Sequence, residues 1–247
     1  MTRPTILDLF CGEGGAAAGY AAAGFDVVGV DRKPLAHRYP GHFIQADALA
    51  YLAQHGHEYH YRHASPPCQG YSISTAGNPS ARAKHDRLIA ATRELLARDP
   101  GVWVIENVEQ ARREMRDPVM LCGRQFGLAT HDEDGEPLTL DRHRLFESNI
   151  DLAAPPHPAH DARQVAGVYG GSRRAKRRDG ETLAQVAPRD RHAARVERGG
   201  GYVPRSIAVQ QRLLGINWMS VKGMQESIPP AYTEHIGRQL LALEVAA

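Results

Sequence analysis

The sequence predicts a Rossmann-like α/β fold, in which helices cover both faces of a doubly wound, mostly parallel sheet. Short apolar runs alternate with helical segments as far as residue 105, which is typical of a parallel sheet. A glycine-rich turn at residues 12–15 follows the first apolar run, where α/β proteins often bind ligands. The length of 247 residues suits one large domain with a full core, extended by a small irregular insert.

The predicted elements follow from apolar periodicity and from turn residues. Gly24 is expected to end the first helix, and proline and glycine pairs mark an irregular region after residue 150. The predicted strands are 5–10, 25–30, 42–47, 60–64, 102–105 and 138–146, and the predicted helices are 16–23, 48–55, 87–98, 206–214 and 230–245.

Composition excludes several classes of protein. No apolar run approaches the roughly 20 residues that span a bilayer, and the first apolar stretch is too short for a signal peptide, so we expect a cytoplasmic protein. Cys11, Cys68 and Cys122 are odd in number and widely spaced, which gives neither a disulfide framework nor a zinc pattern. We therefore expect no metal. The absence of a heptad stripe favours a monomer.

Charge is uneven along the chain. The formal net charge is +2, but residues 151–205 carry ten Arg and one Lys against six acidic residues. Such a segment fits either contact with a polyanion or a solvated, Arg-rich region.

Polar or special residues follow five predicted strands. Because ligands bind beyond the carboxyl ends of strands in open α/β sheets, these residues are expected to share one edge. They are Gly12, Gly14 and Gly15 after the first strand, Asp31 after the second, Asp47 after the third, Pro67 and Cys68 after the fourth, and Glu106 after the fifth.

The glycine turn and Asp31 suit a cofactor that contains a nucleoside. Glycine allows close approach of the backbone, and the carboxylate can accept hydrogen bonds from ribose hydroxyls. Asp47 could take an adenine amino group. Residues 12–17 lack the third glycine of the dinucleotide fingerprint, which favours an S-adenosylmethionine (SAM) site over an NAD site. The alternative is a tight turn with solvated acids.

Cys68, Glu106 and the pair Arg142 and Arg144 are the candidate reactive groups. Two prolines precede Cys68 and would hold its thiol in place, although a lone cysteine is otherwise a small buried side chain. Glu106 is either a helix cap or a functional acid. Arg142 and Arg144 alternate on a predicted strand, so both should point to one face and bind a base edge or a phosphate, unless they are solvated.

These stretches together resemble the cytosine-C5 DNA methyltransferase family. Residues 8–15 (DLFCGEGG) resemble its first motif, and residues 65–72 (SPPCQGYS) resemble its Pro-Cys-Gln motif. Residues 106–108 (ENV) are similar to its Glu-Asn-Val motif, and 142–144 (RHR) to its arginine pair. The resemblance covers residues 5–148 and resumes at 209–215 and 228–237.

The resemblance implies methyl transfer from SAM, which leaves as S-adenosylhomocysteine, to C5 of a cytosine flipped out of double-stranded DNA. It implies a catalytic SAM-binding domain at 1–148, a short basic target-recognition region at 149–205, and a segment at 206–247 that completes the domain. The implied catalytic residues are Cys68, Glu106, Arg144 and Arg142; the cofactor residues are Phe10, Gly12, Gly14, Gly15, Asp31, Asp47 and Pro67; the DNA contacts are Gln69, Ser72, Arg173, Arg174, Lys176, Arg177 and Arg178.

Three alternatives stay open at this stage. A tRNA cytosine-C5 methyltransferase would use the same Cys68 and Glu106 chemistry, and a non-catalytic DNA-binding protein could share the fold. A different transferred group is the third, because Gln225 and Glu226 stand where the last family motif has Gly-Asn. Leu140 similarly replaces the first Gln of the arginine motif. The short recognition region predicts a short or relaxed target sequence.

Overall fold

The computed structural model describes residues 2–71, 86–132, 135, 137–160, 165–168, 204 and 206–246, with side chains as far as residue 243. Ser72 and the basic run Arg173, Arg174, Lys176, Arg177 and Arg178 lie outside the described residues. Their predicted DNA contacts therefore stay predictions.

The centre of the fold is a seven-stranded sheet. Its strands are β1 Thr5–Leu9, β2 Asp26–Asp31, β3 His42–Gln45, β4 Tyr61–Ala64, β5 Val102–Val108, β6 Val119–Leu121 and β9 Arg144–Ser148. The order across the sheet is β3-β2-β1-β4-β5-β9-β6. The first five strands in this order pair in parallel, and β9 pairs antiparallel with both β5 and β6. The predicted mostly parallel α/β sheet is confirmed.

Six helices surround the sheet in the described part of the chain. They are α1 Gly15–Ala23, α2 Ala48–His55, α3 Ile89–Leu96, α4 Ile207–Leu214, α5 Val221–Glu226 and α6 Pro230–Ala246, with 3-10 turns at Gly56–Glu58, Glu109–Glu114 and Gly123–Phe126. A separate hairpin pairs β7 Ala129–His131 with β8 Pro137–Thr139.

Apolar side chains cover both faces of the sheet. Tyr20 of α1 and Tyr232 of α6 belong to the core on one face, and Leu52 of α2 and Ile89 of α3 belong to the core on the other. Helices α1 and α6 pack closely because Gly19 has no side chain: a Cβ there would lie 2.1 Å from the Pro230 carbonyl oxygen. The two helices therefore act as one layer beside the glycine turn.

The structure corrects three details of the prediction. The predicted strand 138–146 is two strands, β8 and β9, because Arg142 between them has a left-handed φ of 33° that breaks the extended backbone. Glu106 lies inside β5 rather than after it, since pairing with β9 extends β5 to Val108. Strand β6 and helix α5 were not predicted, because each is short and has no clear periodicity.

Candidate active site

Cys68 lies in a loop that follows β4 at the carboxyl edge of the sheet. The Asn107 side-chain amide donates a buried hydrogen bond of 2.9 Å to the Pro66 carbonyl, and the Ser65 N–H donates to the Leu9 carbonyl at 3.1 Å. The Tyr71 N–H closes the turn on the Cys68 carbonyl at 2.9 Å. Neighbouring strands β1 and β5 thus hold the half-buried thiol.

Glu106 and Arg144 form an ion pair next to this loop. Glu106 on β5 and Arg144 on β9 belong to adjacent antiparallel strands, and the Arg144 Nε lies 3.1 Å from the Glu106 carboxylate. Arg144 also donates to the His143 carbonyl at 2.8 Å. Both side chains are about nine-tenths buried, which strengthens their electrostatic effect on the loop.

The electrostatics of the three groups are coupled. Burial raises the pKa of the Cys68 thiol, the charge of Glu106 raises it further, and Arg144 lowers it. Burial also raises the pKa of Glu106, while Arg144 and a hydrogen bond from Ser65 lower it. A protonated Glu106 would therefore favour the Cys68 thiolate, because it removes a negative charge beside the sulfur.

A buried chain of hydrogen bonds lies behind Glu106. The Tyr20 hydroxyl is 2.9 Å from Nδ1 of His63, and Nε2 of His63 is 3.0 Å from the Ser65 hydroxyl, which bonds to Glu106. Burial lowers the pKa of His63 to about 3, so its imidazole is neutral and has one donor and one acceptor nitrogen. Sequence reasoning missed His63, because its strand had only apolar periodicity to identify it.

Arg142 lies between β8 and β9, outside the strand that contains Arg144. Its guanidinium donates to the carbonyls of Val168 at 2.8 Å, Gln225 at 2.8 Å and Ser227 at 3.0 Å. It is almost fully buried. The prediction that the two arginines alternate on one strand is wrong, because Arg142 lies before β9 with a left-handed backbone. Its charge nevertheless lowers the pKa of Cys68 and of Glu106, as that of Arg144 does. Arg142 instead holds the chain segment that precedes α6.

The glycine turn after β1 has two different parts. Phe10, Gly12 and Gly14 all have left-handed φ values, of 58°, 53° and 86°. Gly12 is partly exposed, and among the described residues other than its two chain neighbours no atom lies within 4 Å of a Cβ placed there. Gly14 and Gly15 are buried, and a Cβ on Gly15 would meet the Ile228 carbonyl at 2.6 Å. Gly12 thus offers room for a ligand, whereas Gly14 and Gly15 allow close packing.

The predicted acids of the cofactor site lie at successive strand ends. Asp31 ends β2 and accepts hydrogen bonds from the backbone N–H groups of Gly12 at 3.1 Å and Lys33 at 2.9 Å. Asp47 is exposed and caps α2 by accepting from the Ala50 N–H at 3.0 Å. Asp31 therefore adjoins the glycine turn directly, while Asp47 has a structural role as a helix cap.

Pro67 and Gln69 flank Cys68, and both are partly buried. The structure therefore brings the predicted cofactor residue Pro67 and the predicted DNA contact Gln69 to the same loop as the thiol. The loop connects the glycine-turn side of the edge with the side that holds Glu106 and Arg144.

Glu13 joins the glycine turn to the chain before α5. Its carboxylate accepts from the Ser220 N–H and the Ser220 hydroxyl, both at 2.6 Å, and its carbonyl accepts from the Trp218 indole at 2.9 Å. Sequence reasoning did not assign Glu13 a role. No local signal could have revealed it, because its partners lie more than 200 residues away.

Comparison with known proteins shows the fold. No family model matches the chain, and no curated protein matches it. A putative DNA modification methyltransferase encoded within an E. coli prophage is similar, with 17% identity, a TM-score of 0.53, and 98% of this chain and 99% of the other covered. The Schizosaccharomyces pombe Dnmt2 methyltransferase, at 13% identity and a TM-score of 0.59, is covered equally.

The Entamoeba histolytica methyltransferase EhMeth is similar at 11% identity and a TM-score of 0.55, with 99% of each chain covered. The described part of the chain therefore has the Rossmann-like fold of these methyltransferases, and the predicted fold class is confirmed. Among the described residues, no helix has both the length and the apolar character needed to cross a membrane.

Proposed function

We propose that this protein is a SAM-dependent DNA methyltransferase that transfers a methyl group to C5 of a flipped-out cytosine through a covalent adduct with Cys68. The observation that carries the proposal is the meeting of Cys68, Glu106 and Arg144 at one edge of a methyltransferase fold. These residues come from the loop after β4, from β5 and from β9, and a purely structural arrangement would not need a thiol beside a buried ion pair.

The chemistry assigns one task to each group. Cys68, as thiolate, adds to C6 of the cytosine, and the ring electrons move to C5, which makes C5 nucleophilic. Glu106 in its protonated form donates to N3 and neutralises the charge that develops there. Arg144 holds Glu106 and the exocyclic oxygen. After methyl transfer, loss of the C5 proton returns electrons to the ring and expels Cys68.

The glycine turn fits the cofactor that this reaction requires. The open side of Gly12 leaves room for a ligand against the backbone, and Asp31 beside it keeps lone pairs for ribose hydroxyls. When bound, SAM supplies the electrophilic methyl group. Arg142 supports the same region indirectly, because it fixes residues 225–227 against the turn that contains Gly15.

The test is covalent trapping on duplex DNA that contains 5-fluorocytosine, with SAM present. Fluorine at C5 cannot leave as a cation, so the thioether to Cys68 should persist in denaturing gels. Cys68→Ala should abolish the adduct, and its intact Cys11 and Cys122 serve as internal controls. The same duplex without fluorine should give no stable adduct.

Mass spectrometry of nucleosides from cells that lack cytosine methylation completes the test. Expression of the wild type should produce 5-methylcytosine in DNA, and Cys68→Ala should not. If 5-methylcytosine is found only in RNA, the substrate is RNA rather than DNA. If a modified cytosine of another mass is found, the enzyme transfers a group other than methyl. If folded protein gives no methylated cytosine and no trapped adduct, the proposal is overturned in favour of a non-catalytic DNA-binding protein.

A further inference from the structure

Cys122 and three histidines form a cluster that the reaction does not use. One ligand atom from each of Cys122, His143, His157 and His160 lies within 4.8 Å of the other three. The Cys122 sulfur is 3.5 Å from Nε2 of His160, and Nε2 of His143 is 3.3 Å from Nε2 of His157. A thiol and three imidazole nitrogens therefore converge on one point.

The sheet brings the first two members of the cluster together. Leu121 of β6 pairs with Arg144 of β9 in antiparallel register, so one further step places Cys122 beside His143. On the other side of β9, Val108 pairs with Arg144, and the next step places Glu109 beside His143. The backbone register, rather than flexible side chains, thus sets this half of the cluster.

The other two histidines approach from residues 151–160, which have no regular secondary structure. His157 and His160 are three residues apart. The His160 ring stacks on His143 and on His157, and the His157 ring is tilted against His143, with centroids 4.9–5.5 Å apart. Gln125 donates to the Pro155 carbonyl at 2.5 Å and holds this segment against the turn that follows Cys122.

Carboxylates stand behind two of the imidazoles. Nδ1 of His160 is 3.2 Å from Asp141, and Nδ1 of His143 is 3.6 Å from Glu109. Each ring therefore directs Nε2 inward and Nδ1 toward an acid. This is the arrangement by which proteins orient metal-binding histidines and increase their basicity.

We propose that Cys122, His143, His157 and His160 bind one structural Zn²⁺ ion in a tetrahedral site. Zn²⁺ prefers nitrogen and sulfur ligands at about 2.0–2.1 Å and 2.3 Å, which for a tetrahedron places nitrogens about 3.4 Å apart and nitrogen about 3.6 Å from sulfur. The two close separations in the cluster match these values. On binding, Cys122 gives its proton to solvent and the imidazoles bind as neutral ligands.

Four protein ligands leave no open position for substrate, so the ion is structural rather than catalytic. Its role is to fasten residues 151–160, which lead into the basic region, to the end of the sheet. It also fixes His143, whose carbonyl accepts a hydrogen bond from Arg144. The site thus replaces the expectation that the protein binds no metal, and it does not depend on the proposed function.

The first test is the metal content of protein purified from zinc-supplemented cells after removal of any affinity tag. Plasma mass spectrometry should find about one zinc per chain, retained through gel filtration. Reconstitution with Co²⁺ in place of zinc should give the visible bands of a tetrahedral ion and a near-ultraviolet band from a thiolate ligand.

Matched variants locate the site. His157→Ala removes a ligand at the exposed rim and should reduce zinc below about 0.2 per chain, while His131→Ala, an exposed histidine on β7, should keep it. Cys122→Ala should abolish the thiolate-to-cobalt band, and Cys11→Ala should retain it. Chelation should lower the melting temperature of the wild type by about 5 °C or more, and that of His157→Ala should not respond.

Two results would overturn the proposal. One is wild-type protein that, after zinc supplementation, holds no more metal than His157→Ala. The other is a cobalt spectrum without the Cys122-dependent band. Because every readout is metal content, absorption or melting, these results are independent of whether the protein methylates DNA.

Discussion

The two ends of β9 each carry a buried ion pair, and the pairs differ in how completely they are satisfied. At one end, Arg144 pairs with Glu106, which also accepts a hydrogen bond from Ser65 and feels the charge of Arg142. At the other end, Glu147 binds Arg93 of α3 through both carboxylate oxygens and also accepts from the Arg116 N–H at 2.9 Å. Arg93 in turn donates to the Glu114 carbonyl at 2.7 Å.

Under the proposed function, the difference distinguishes an ion pair with a structural role from one that takes part in the reaction. The Glu147 pair fastens a helix to the sheet, and its hydrogen bonds offset the cost of burying charge. The Glu106 pair lies beside a thiol, and burial raises the pKa of Glu106. Under the proposed function, its proton is the one donated to N3 of the cytosine. The buried fraction of the side chains alone would not distinguish these two ion pairs, because both are buried.

The largest effect should come from breaking the structural pair. Glu147→Gln leaves the Arg93 charge buried without its partner and should destabilise the protein by about 3–5 kcal/mol. For a chain of this size, the melting temperature should fall by about 6–20 °C. Glu114→Gln, at an exposed pair with Arg87, should cost less than about 1 kcal/mol. Equal losses in the two variants would contradict the assignment of Glu147.

Removal of the acid from the other pair should affect activity more than stability. Glu106→Gln keeps the shape of the side chain but cannot supply the proton, and methyl transfer should fall about 10²–10³-fold, or about 2.7–4 kcal/mol in the barrier. The measurement is single-turnover transfer on duplex DNA, with Glu147→Gln assayed below its melting temperature for comparison. Activity near the wild-type level in Glu106→Gln would remove Glu106 from the mechanism.

The smallest effect should be a dependence of stability on pH. Because burial raises the pKa of Glu106, the folded state binds this proton more tightly than the unfolded chain, and stability falls as pH rises through the folded pKa. Gln does not ionise, so the melting temperature of Glu106→Gln relative to the wild type should rise with pH. Thermal melts across pH 5–8 would show it, and a constant difference would indicate that Glu106 is ionised throughout.

The sequence identified most of the fold because its signals are local. Apolar runs followed by polar residues located β1 to β5, and helix 48–55 matches α2 in both bounds. The antiparallel part of the sheet was missed or misdivided because β6 has three residues and because the left-handed φ of Arg142 leaves no trace in an alternating pattern. The bounds of β6, β8 and β9 depend on tertiary packing, which local sequence patterns do not record.

Local signals identified the candidate site only in part. The strand-end rule grouped Cys68, Asp31 and the glycine turn correctly, since parallel strands end at one edge. It could not separate Arg144 from Arg142, whose carbonyl partners at Gln225 and Ser227 come from a distant segment. Cys122 was not predicted to be a functional residue, because its partners also come from distant parts of the sequence. Its histidine neighbours adjoin it through the β6–β9 register and the segment 151–160, and the only local hint was the pair His157 and His160.

The close contact between α1 and α6 has a consequence for the order of folding. Thr233 of α6 donates a hydrogen bond to the Ala16 carbonyl of α1, and the two residues are 217 positions apart in the sequence. Contacts with so large a sequence separation form late in folding. During synthesis, β1 and α1 leave the ribosome long before α6, so the part of this sheet face that α6 covers stays exposed until the chain is nearly complete. A nascent chain stopped before residue 230 should therefore bind chaperones strongly and lack the contact of α6 with Ala16 and Gly19 of α1.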